Sequence, residues 1–302
     1  MVDKVCYIFP GQGSQYVGMG KKLYDNSPEA KAIFDQAEKN LPGLDLKKLC
    51  FEGPIEELTQ TANSQVAILT MSIAALQALG SEPKPVCCAG LSLGEYSALV
   101  ASGVLEFSDA IRLVRRRGEL MEQAALNNPG IMASILGISA ESLKEICKET
   151  GSEIANLNCP GQIVISGKIE SVQKAMALAE QKGAKKAIIL NVSGPFHSSF
   201  MKEAAGEFKK ELGKTKFSSP KVPVVSNVTA DYENRVDGIK ENLVKQLYSP
   251  VRWEESILKI SQEGCNTFFE IGPSKVLKGL LRRINPELKV YNIETVEDVC
   301  AN

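Results

Sequence analysis

The sequence VCCAGLSLGEY, residues 86–96, is the strongest indication of the fold of this chain. An apolar run ends in the pattern G-x-S-x-G, from Gly90 to Gly94, and the residues after it predict a helix of small side chains. Strand, tight turn and helix in this order indicate a nucleophile elbow, a strained turn that exposes the Ser92 hydroxyl at the start of the helix. The same turn leaves the backbone N–H of Leu93 free to donate to an oxyanion.

Strand and helix patterns alternate on both sides of this stretch. Alternation of this kind predicts an α/β fold with a central, mostly parallel sheet covered by helices. The predicted strands are 5–9, 86–90, 222–225 and 267–271, and the predicted helices are 27–39, 66–79, 96–102, 108–125, 236–247, 254–263 and 275–284.

The segment after the Asn-Asn-Pro-Gly loop at residues 127–130 has a different pattern. Its order is β-α-β-β-α-β, which is the ferredoxin-like arrangement. The predicted strands are 131–137, 153–158, 162–167 and 185–192, with helices at 140–149 and 169–182. We therefore expect residues 129–193 to form an inserted small domain and residues 1–128 and 194–302 to form a large one.

Composition argues against several classes of function. The 302 residues carry 35 basic and 36 acidic side chains, for a formal net charge of -1, whereas proteins held to nucleic acid by phosphate contacts are normally basic. The N-terminal apolar run is too short for a signal peptide, and no later stretch is expected to supply the roughly 18 uncharged apolar residues of a membrane helix. We expect a cytoplasmic protein that binds neither nucleic acid nor membrane.

The eight cysteines do not have the spacing of a metal or disulfide site. None forms a C-x-x-C pair and most lie in apolar runs, so buried free thiols are favoured over a zinc site or a disulfide framework. The glycine-rich segment from Gly11 to Gly20 fits neither a dinucleotide fingerprint nor a P-loop, because Tyr16 and Gln15 stand where glycines are required. The sequence predicts no metal and no cofactor.

Ser92 needs a base within hydrogen-bond reach, and the chain has a single histidine. His197 lies in a loop just after the last predicted strand of the small domain. It is the candidate general base, and the alternative is a histidine that is merely packed in its loop.

Arg117 is the residue most informative about substrate. At about 100° per residue it falls in the middle of the apolar stripe of helix 108–125, together with Met121. A buried arginine stays charged and needs an anion or several carbonyls for its five donors. Two alternatives remain open: a structural pair with a protein carboxylate, or a carboxylate substrate held by two parallel hydrogen bonds.

Taken in order, these motifs resemble those of the malonyl-CoA:acyl carrier protein transacylase family of type II fatty acid synthesis. They are FPGQGSQ at 9–15, GLSLGEYS at 90–97, Arg117-Gly118, Phe196-His197-Ser198 and EIGP at 270–273. The resemblance covers nearly the whole chain. It implies an α/β-hydrolase-like large domain with an inserted ferredoxin-like small domain.

The resemblance also implies catalytic roles. Ser92 matches the family's nucleophile and His197 its base. The backbone N–H groups of Gln12 and Leu93 match its oxyanion hole. The family orients its histidine with a main-chain carbonyl in place of a triad carboxylate, and this carbonyl maps onto Gln246.

A further set of residues matches the family's substrate pocket. Arg117 corresponds to its carboxylate-binding arginine, and Met121 is placed beside it. Phe196, next to the histidine, is similar to the residue found in malonyl-selective relatives. The departure is Leu91, where many relatives carry histidine before the serine.

The reaction implied is a ping-pong transfer from malonyl-CoA to holo acyl carrier protein by a monomeric enzyme. Two rivals remain. A hydrolase using the same elbow would normally add a carboxylate to the triad. A carrier-protein-binding module without catalysis would not need Ser92.

Overall fold

The structure is a computed structural model that describes residues 4–301, with side chains from 4 to 298. The strands are β1 (Val5–Phe9), β2 (Pro85–Gly90), β3 (Ile131–Leu136), β4 (Glu153–Cys159), β5 (Gln162–Gly167), β6 (Lys186–Ile189), β7 (Val224–Val225), β8 (Tyr232–Glu233), β9 (Thr267–Ile271) and β10 (Lys289–Ile293). The helices are α1 (Lys21–Asn26), α2 (Pro28–Asn40), α3 (Leu46–Glu52), α4 (Ile55–Thr59), α5 (Thr61–Leu79), α6 (Gly94–Ala101), α7 (Phe107–Asn127), α8 (Ala140–Thr150), α9 (Ile169–Gln181), α10 (Lys202–Lys214), α11 (Val236–Gln246), α12 (Trp253–Gln262), α13 (Val276–Ile284) and α14 (Val296–Ala301).

The larger sheet has the strand order β10-β9-β1-β2-β7-β8. All neighbours are parallel except β8, which is antiparallel to β7. Every residue of β1 is buried, as expected for a parallel strand covered on both faces. This arrangement confirms the predicted α/β fold.

The smaller sheet has the order β4-β5-β3-β6, and all of its pairs are antiparallel. Helices α8 and α9 pack on it through a separate apolar cluster that includes Ile135, Leu143 and Val172. The ferredoxin-like order is therefore confirmed. The Leu157 N–H donates to the carbonyl oxygen of Val251 over 2.9 Å, which ties β4 to the large-sheet part of the chain.

Several element predictions were wrong in detail. Strand β6 ends at Ile189, not at residue 192, because the chain turns back at Val192, whose N–H donates to the Leu190 carbonyl. Strand β7 is only two residues long. The sequence patterns also missed α10, the strands β8 and β10, and the short helices α1, α3, α4 and α14.

Helix α5 corrects the membrane expectation. It is 19 residues long with a mean hydropathy of 1.3, and among the described residues it is the one helix long and apolar enough to span a membrane by length and composition. Within the fold, 72% of the 18-residue stretch of this helix that meets the hydropathy criterion is buried. The helix packs between α2 and α7, as the core helix of a globular protein does.

The cysteines whose side chains the structure describes are buried free thiols, as predicted. Seven cysteines are buried and free, and the side chain of Cys300 lies outside the described residues. The seven are Cys6, Cys50, Cys87, Cys88, Cys147, Cys159 and Cys265.

Candidate active site

The turn between β2 and α6 has the geometry of a nucleophile elbow. Ser92 lies in the left-handed region with φ of 52°. A Cβ on Gly90 would lie 2.0 Å from the backbone of Gly94, and a Cβ on Gly94 would lie 2.1 Å from the carbonyl oxygen of Phe9. Glycine at both positions lets the strand, the turn and the helix meet.

Asn227, which follows β7, supports the turn from behind. Its Oδ1 accepts the Ser92 N–H at 2.7 Å, and its Nδ2 donates to the Gly90 carbonyl at 2.7 Å. Two hydrogen bonds to one side chain therefore fix the backbone that leads into the strained serine, from the Gly90 carbonyl to the Ser92 N–H.

His197 faces the serine hydroxyl. Its Nε2 lies 2.8 Å from Ser92 Oγ, and its Nδ1 lies 2.8 Å from the main-chain oxygen of Gln246. A carbonyl can only accept, so Nδ1 carries the proton in the neutral ring and Nε2 presents its lone pair to the hydroxyl. The pair is oriented for transfer of the serine proton to the histidine.

The surroundings of His197 keep its ring neutral. Burial, and to a smaller extent the positive charge of Arg117, lower the pKa of His197 to about 4. Hydrogen bonds to the backbone at Gln246 and Ser249 act in the opposite direction. At pH 7 the ring is therefore neutral and can accept a proton.

Arg117 lies next to this pair and is 1% exposed. Its Nη2 donates to Ser92 Oγ at 3.2 Å and to Gln246 Oε1 at 3.0 Å, and its Nη1 donates to Gln65 Oε1 at 2.7 Å. Its Nε has no hydrogen-bond partner. The guanidinium also lies 5.3 Å from the centre of the Tyr96 ring, which favours a cation.

No carboxylate in the described part of the chain forms an ion pair with Arg117. Its acceptors are neutral oxygens, and burial lowers its pKa from the usual value. Of the two alternatives left open for this arginine, the structural pair is not observed. The buried cation has no directly paired carboxylate, although the more distant Glu95 carboxylate acts on it electrostatically, so its donors are suited to receive an anionic substrate group beside the nucleophile.

A cavity of about 160 Å³ opens onto the serine and lies between the two sheets. From the large-sheet part it is lined by Gln12, Leu91, Ser92, Met121, Phe196, His197, Val276 and Leu280. From the segment that carries the smaller sheet it is lined by Met132, Asn156, Asn158, Gln162, Val164, Leu190 and Val192. Met121 and Phe196, which the resemblance assigned to the substrate pocket, therefore line the same cavity as Ser92 and His197.

The two backbone amides expected to hold an oxyanion belong to the elbow and to the loop packed against it. Leu93 follows Ser92 directly, and Gln12 lies in the loop after β1. That loop is packed against the elbow, since a Cβ on Gly11 would lie 2.3 Å from the carbonyl oxygen of Leu91. Neither amide donates to a protein acceptor within residues 4–301.

Sequence reasoning missed four residues that contact this site: Gln65, Glu95, Tyr96 and Asn227. Glu95 had a signal, since it is the one charged residue of the otherwise uncharged helix α6. Burial raises its pKa to about 7, although hydrogen bonds and Arg117 oppose the shift. Gln65 and Asn227 are neutral residues far from Ser92 in the chain and carry no such signal.

The fold and this arrangement define an α/β protein with a Ser-His pair of the kind used for acyl transfer. A profile of the family described as Acyl transferase domain matches residues 6–295. The chain is also 51% identical, over 304 residues, to the malonyl CoA-acyl carrier protein transacylase of Bacillus subtilis strain 168, covering 99% of this chain and 96% of that protein. The chain belongs to the malonyl CoA-acyl carrier protein transacylase family, a family of acyltransferases.

Solved structures agree with this membership. An acyl carrier protein S-malonyltransferase from Vibrio cholerae is 40% identical, with a TM-score of 0.95 and 99% of each chain covered. A malonyl-transacylase in complex with a type II PKS acyl-carrier protein is 39% identical, with a TM-score of 0.96, covering 99% of this chain and 98% of that one. The family resemblance stated from the motifs is confirmed.

Proposed function

We propose that the protein transfers a malonyl group from coenzyme A to the phosphopantetheine thiol of acyl carrier protein, through a malonyl-serine intermediate, in fatty acid biosynthesis. The observation that carries the proposal is the buried Arg117 guanidinium, which lacks a carboxylate partner among the described residues and lies 3.2 Å from Ser92 Oγ. It offers a place for a free carboxylate beside the nucleophile. The names of the relatives point to the same reaction.

In the first half-reaction His197 Nε2 takes the Ser92 proton as Oγ attacks the thioester carbonyl. The developing oxyanion is held by the N–H groups of Gln12 and Leu93. The Gln246 carbonyl holds the imidazolium through Nδ1–H. As the C–S bond breaks, His197 returns the proton to the sulfur and coenzyme A leaves as a thiol.

Arg117 holds the malonyl carboxylate during this step, and Met121 and Phe196 enclose the short acyl chain. The carboxylate replaces neutral acceptors by a charged one, which strengthens the hydrogen bonds of the guanidinium. It also neutralises the charge that lowers the pKa of His197, so the base becomes stronger when the correct substrate is bound.

In the second half-reaction the carrier thiol loses its proton to His197 and attacks the serine ester. The same amides hold the oxyanion, and Ser92 leaves with the proton from His197. One thioester replaces another, so the overall transfer is close to neutral in free energy. Water must therefore be kept from the acyl-serine, and the small cavity between the two sheets serves this purpose.

We propose further that the enzyme acts as a cytoplasmic monomer, with no nucleic-acid or membrane partner and no cofactor. The seven buried free thiols are those expected in a reducing compartment. The domain division at residues 1–128, 129–193 and 194–302 is part of the proposal. It is supported by the smaller sheet, whose strands run from Ile131 to Ile189.

The two rival functions have less support. A hydrolase of this fold normally orients its histidine with a carboxylate, but His197 Nδ1 faces the main-chain oxygen of Gln246. A binding module without catalysis has no need of a hydroxyl 2.8 Å from a neutral imidazole.

Intact-protein mass spectrometry after brief mixing with malonyl-CoA tests the proposal. We expect a malonyl-sized adduct in the wild type, discharged by holo acyl carrier protein, and no adduct in Ser92→Ala. The matched control is Ser97→Ala on helix α6, just after the elbow. Its buried hydroxyl has no hydrogen-bond partner, so this variant should still form the adduct. Multiple-turnover release of malonate without an acceptor would instead identify a thioesterase, and neither adduct nor turnover would favour a binding module.

A further inference from the structure

Glu95 lies behind the reacting groups, and the proposed reaction does not use it. It is on α6, three residues after Ser92, and it is 3% exposed. Its Oε2 accepts from Gln246 Nε2 at 2.8 Å and from the Asn227 N–H at 3.0 Å. Arg117 attracts this carboxylate without forming a direct ion pair with it, so the burial of Glu95 still costs free energy and calls for a specific task.

Gln246 is the residue that connects Glu95 to the site. Its main-chain oxygen orients His197, and its Nε2 also donates to the main-chain oxygen of Ser92 at 3.1 Å. Its Oε1 accepts from Arg117 Nη2 at 3.0 Å. One residue therefore contacts the base, the elbow and the buried cation.

The two ends of the Gln246 amide are not interchangeable. An ionised carboxylate only accepts hydrogen bonds and a guanidinium only donates them. Glu95 therefore takes the NH2 end, which leaves Oε1 for Arg117. With the amide turned over, NH2 would face the guanidinium, donor against donor, and Arg117 Nη2 would lose an acceptor.

We propose that Glu95 is a positioning residue that acts through the Gln246 side-chain amide to hold Arg117 beside Ser92, and so sets the preference for acyl groups with a free carboxylate. This inference rests on the proposed malonyl transfer. Arg117 Nη2 is held between two oxygens, Gln246 Oε1 and Ser92 Oγ. Without Gln246 Oε1, Arg117 Nη2 is no longer held in the orientation that lets the guanidinium form two parallel hydrogen bonds to a carboxylate.

The test compares kcat/KM for malonyl-CoA and acetyl-CoA, with holo acyl carrier protein as acceptor, in wild type, Glu95→Ala, Gln246→Ala and the double variant. We expect the malonyl-to-acetyl ratio to fall about tenfold in each single variant, the effect of one lost charged hydrogen bond. The double variant should be no worse than either single one, because both changes remove the same connection. Assays at pH 8 keep the Glu95 carboxylate ionised, since its pKa is about 7.

The conservative variant Glu95→Gln separates hydrogen bonding from charge. Its amide oxygen can still accept from Gln246 and Asn227, so we expect it to recover most of the ratio lost in Glu95→Ala. Equal loss for both substrates would mean that Glu95 is only structural, and multiplied effects in the double variant would mean that it does not act through Gln246. Either result overturns the inference, and so does a Glu95→Gln variant as impaired as Glu95→Ala.

Two further outcomes have a defined meaning. If Glu95→Ala does not fold, a reduced ratio in Gln246→Ala together with a retained one in Glu95→Gln supports the inference, and an unchanged ratio in Gln246→Ala refutes it. Wild-type protein that forms no malonyl adduct refutes the proposed function itself. Wild-type transfer with unchanged ratios in every variant refutes the positioning role alone.

Discussion

Replacing Arg117 by alanine tests the substrate assignment directly. The change removes the cation that lies 3.2 Å from Ser92 Oγ and leaves the Ser92 and His197 contact in place. A malonyl group loses its carboxylate partner, whereas an acetyl group has no carboxylate to lose. We therefore expect malonyl transfer to fall and acetyl transfer to be maintained or improved.

The size of the effect follows from the contacts of the guanidinium. Two charge-assisted hydrogen bonds contribute about 1.5–3 kcal/mol each, so their loss costs about 3–6 kcal/mol. The substrate carboxylate must displace a neutral acceptor, Ser92 Oγ or Gln65 Oε1, from part of the fork, which places the net loss near the lower end. A loss of about 3–4 kcal/mol corresponds to roughly a 10²- to 10³-fold drop in kcat/KM for malonyl-CoA.

The assay measures kcat/KM for both acyl donors with holo acyl carrier protein, after thermal unfolding has shown that each variant is folded. Arg117→Lys keeps the charge but loses the planar fork, so its malonyl activity should be intermediate. Arg116→Ala is the matched control on the same helix, since Arg116 is exposed and pairs with Glu119. Equal loss for malonyl and acetyl donors in Arg117→Ala would refute the reasoning.

Two other predictions concern the base and the elbow. His197 must be neutral to act, so kcat/KM for acetyl-CoA, which does not use the Arg117 site, should fall only as the pH drops toward about 4, well below the usual pKa of 6.5. Arg117→Ala should move this limb to higher pH by removing a like charge, and a wild-type limb at 6.5 in the pH–rate profile for acetyl-CoA would contradict the assignment. Gly94→Ala should lower the free energy of unfolding by about 1–3 kcal/mol in denaturant titrations, because its Cβ would lie 2.1 Å from the Phe9 oxygen. The control is Gly279→Ala in α13, where a Cβ would have nothing within 4 Å and the change should be neutral or stabilising. Similar effects of the two changes would argue against the close contact at Gly94.

The parts of the site that were predictable from sequence are marked either by a short contiguous motif or by a residue type that is rare in its context. The elbow needs only residues 86–96, because strand, turn and helix are contiguous there. His197 followed from being the single histidine, and Arg117 from its place in an apolar helical stripe. Each of these signals is a side-chain type in a short pattern.

The supporting groups lack such signals. His197 is oriented by a main-chain oxygen, which every residue has, so only the family resemblance could indicate Gln246. Asn227 and Gln246 reach Ser92 across 135 and 154 positions of the chain. Their placement depends on how β7 and α11 pack around β2, which propensity and periodicity do not determine.

The backbone of the two reacting residues explains why so many supporting groups are needed. Ser92 and His197 both lie in the left-handed region, with φ of 52° and 56°. Such conformations cost on the order of 1–3 kcal/mol each and persist only where the surroundings hold them. Asn227 fixes the backbone at Ser92, and the Gln246 carbonyl holds the His197 ring. Relaxation of either backbone would lengthen the 2.8 Å contact on which proton transfer depends. The hydrogen bonds behind the elbow therefore belong to the chemistry, because they maintain the strained backbone that brings base and nucleophile together.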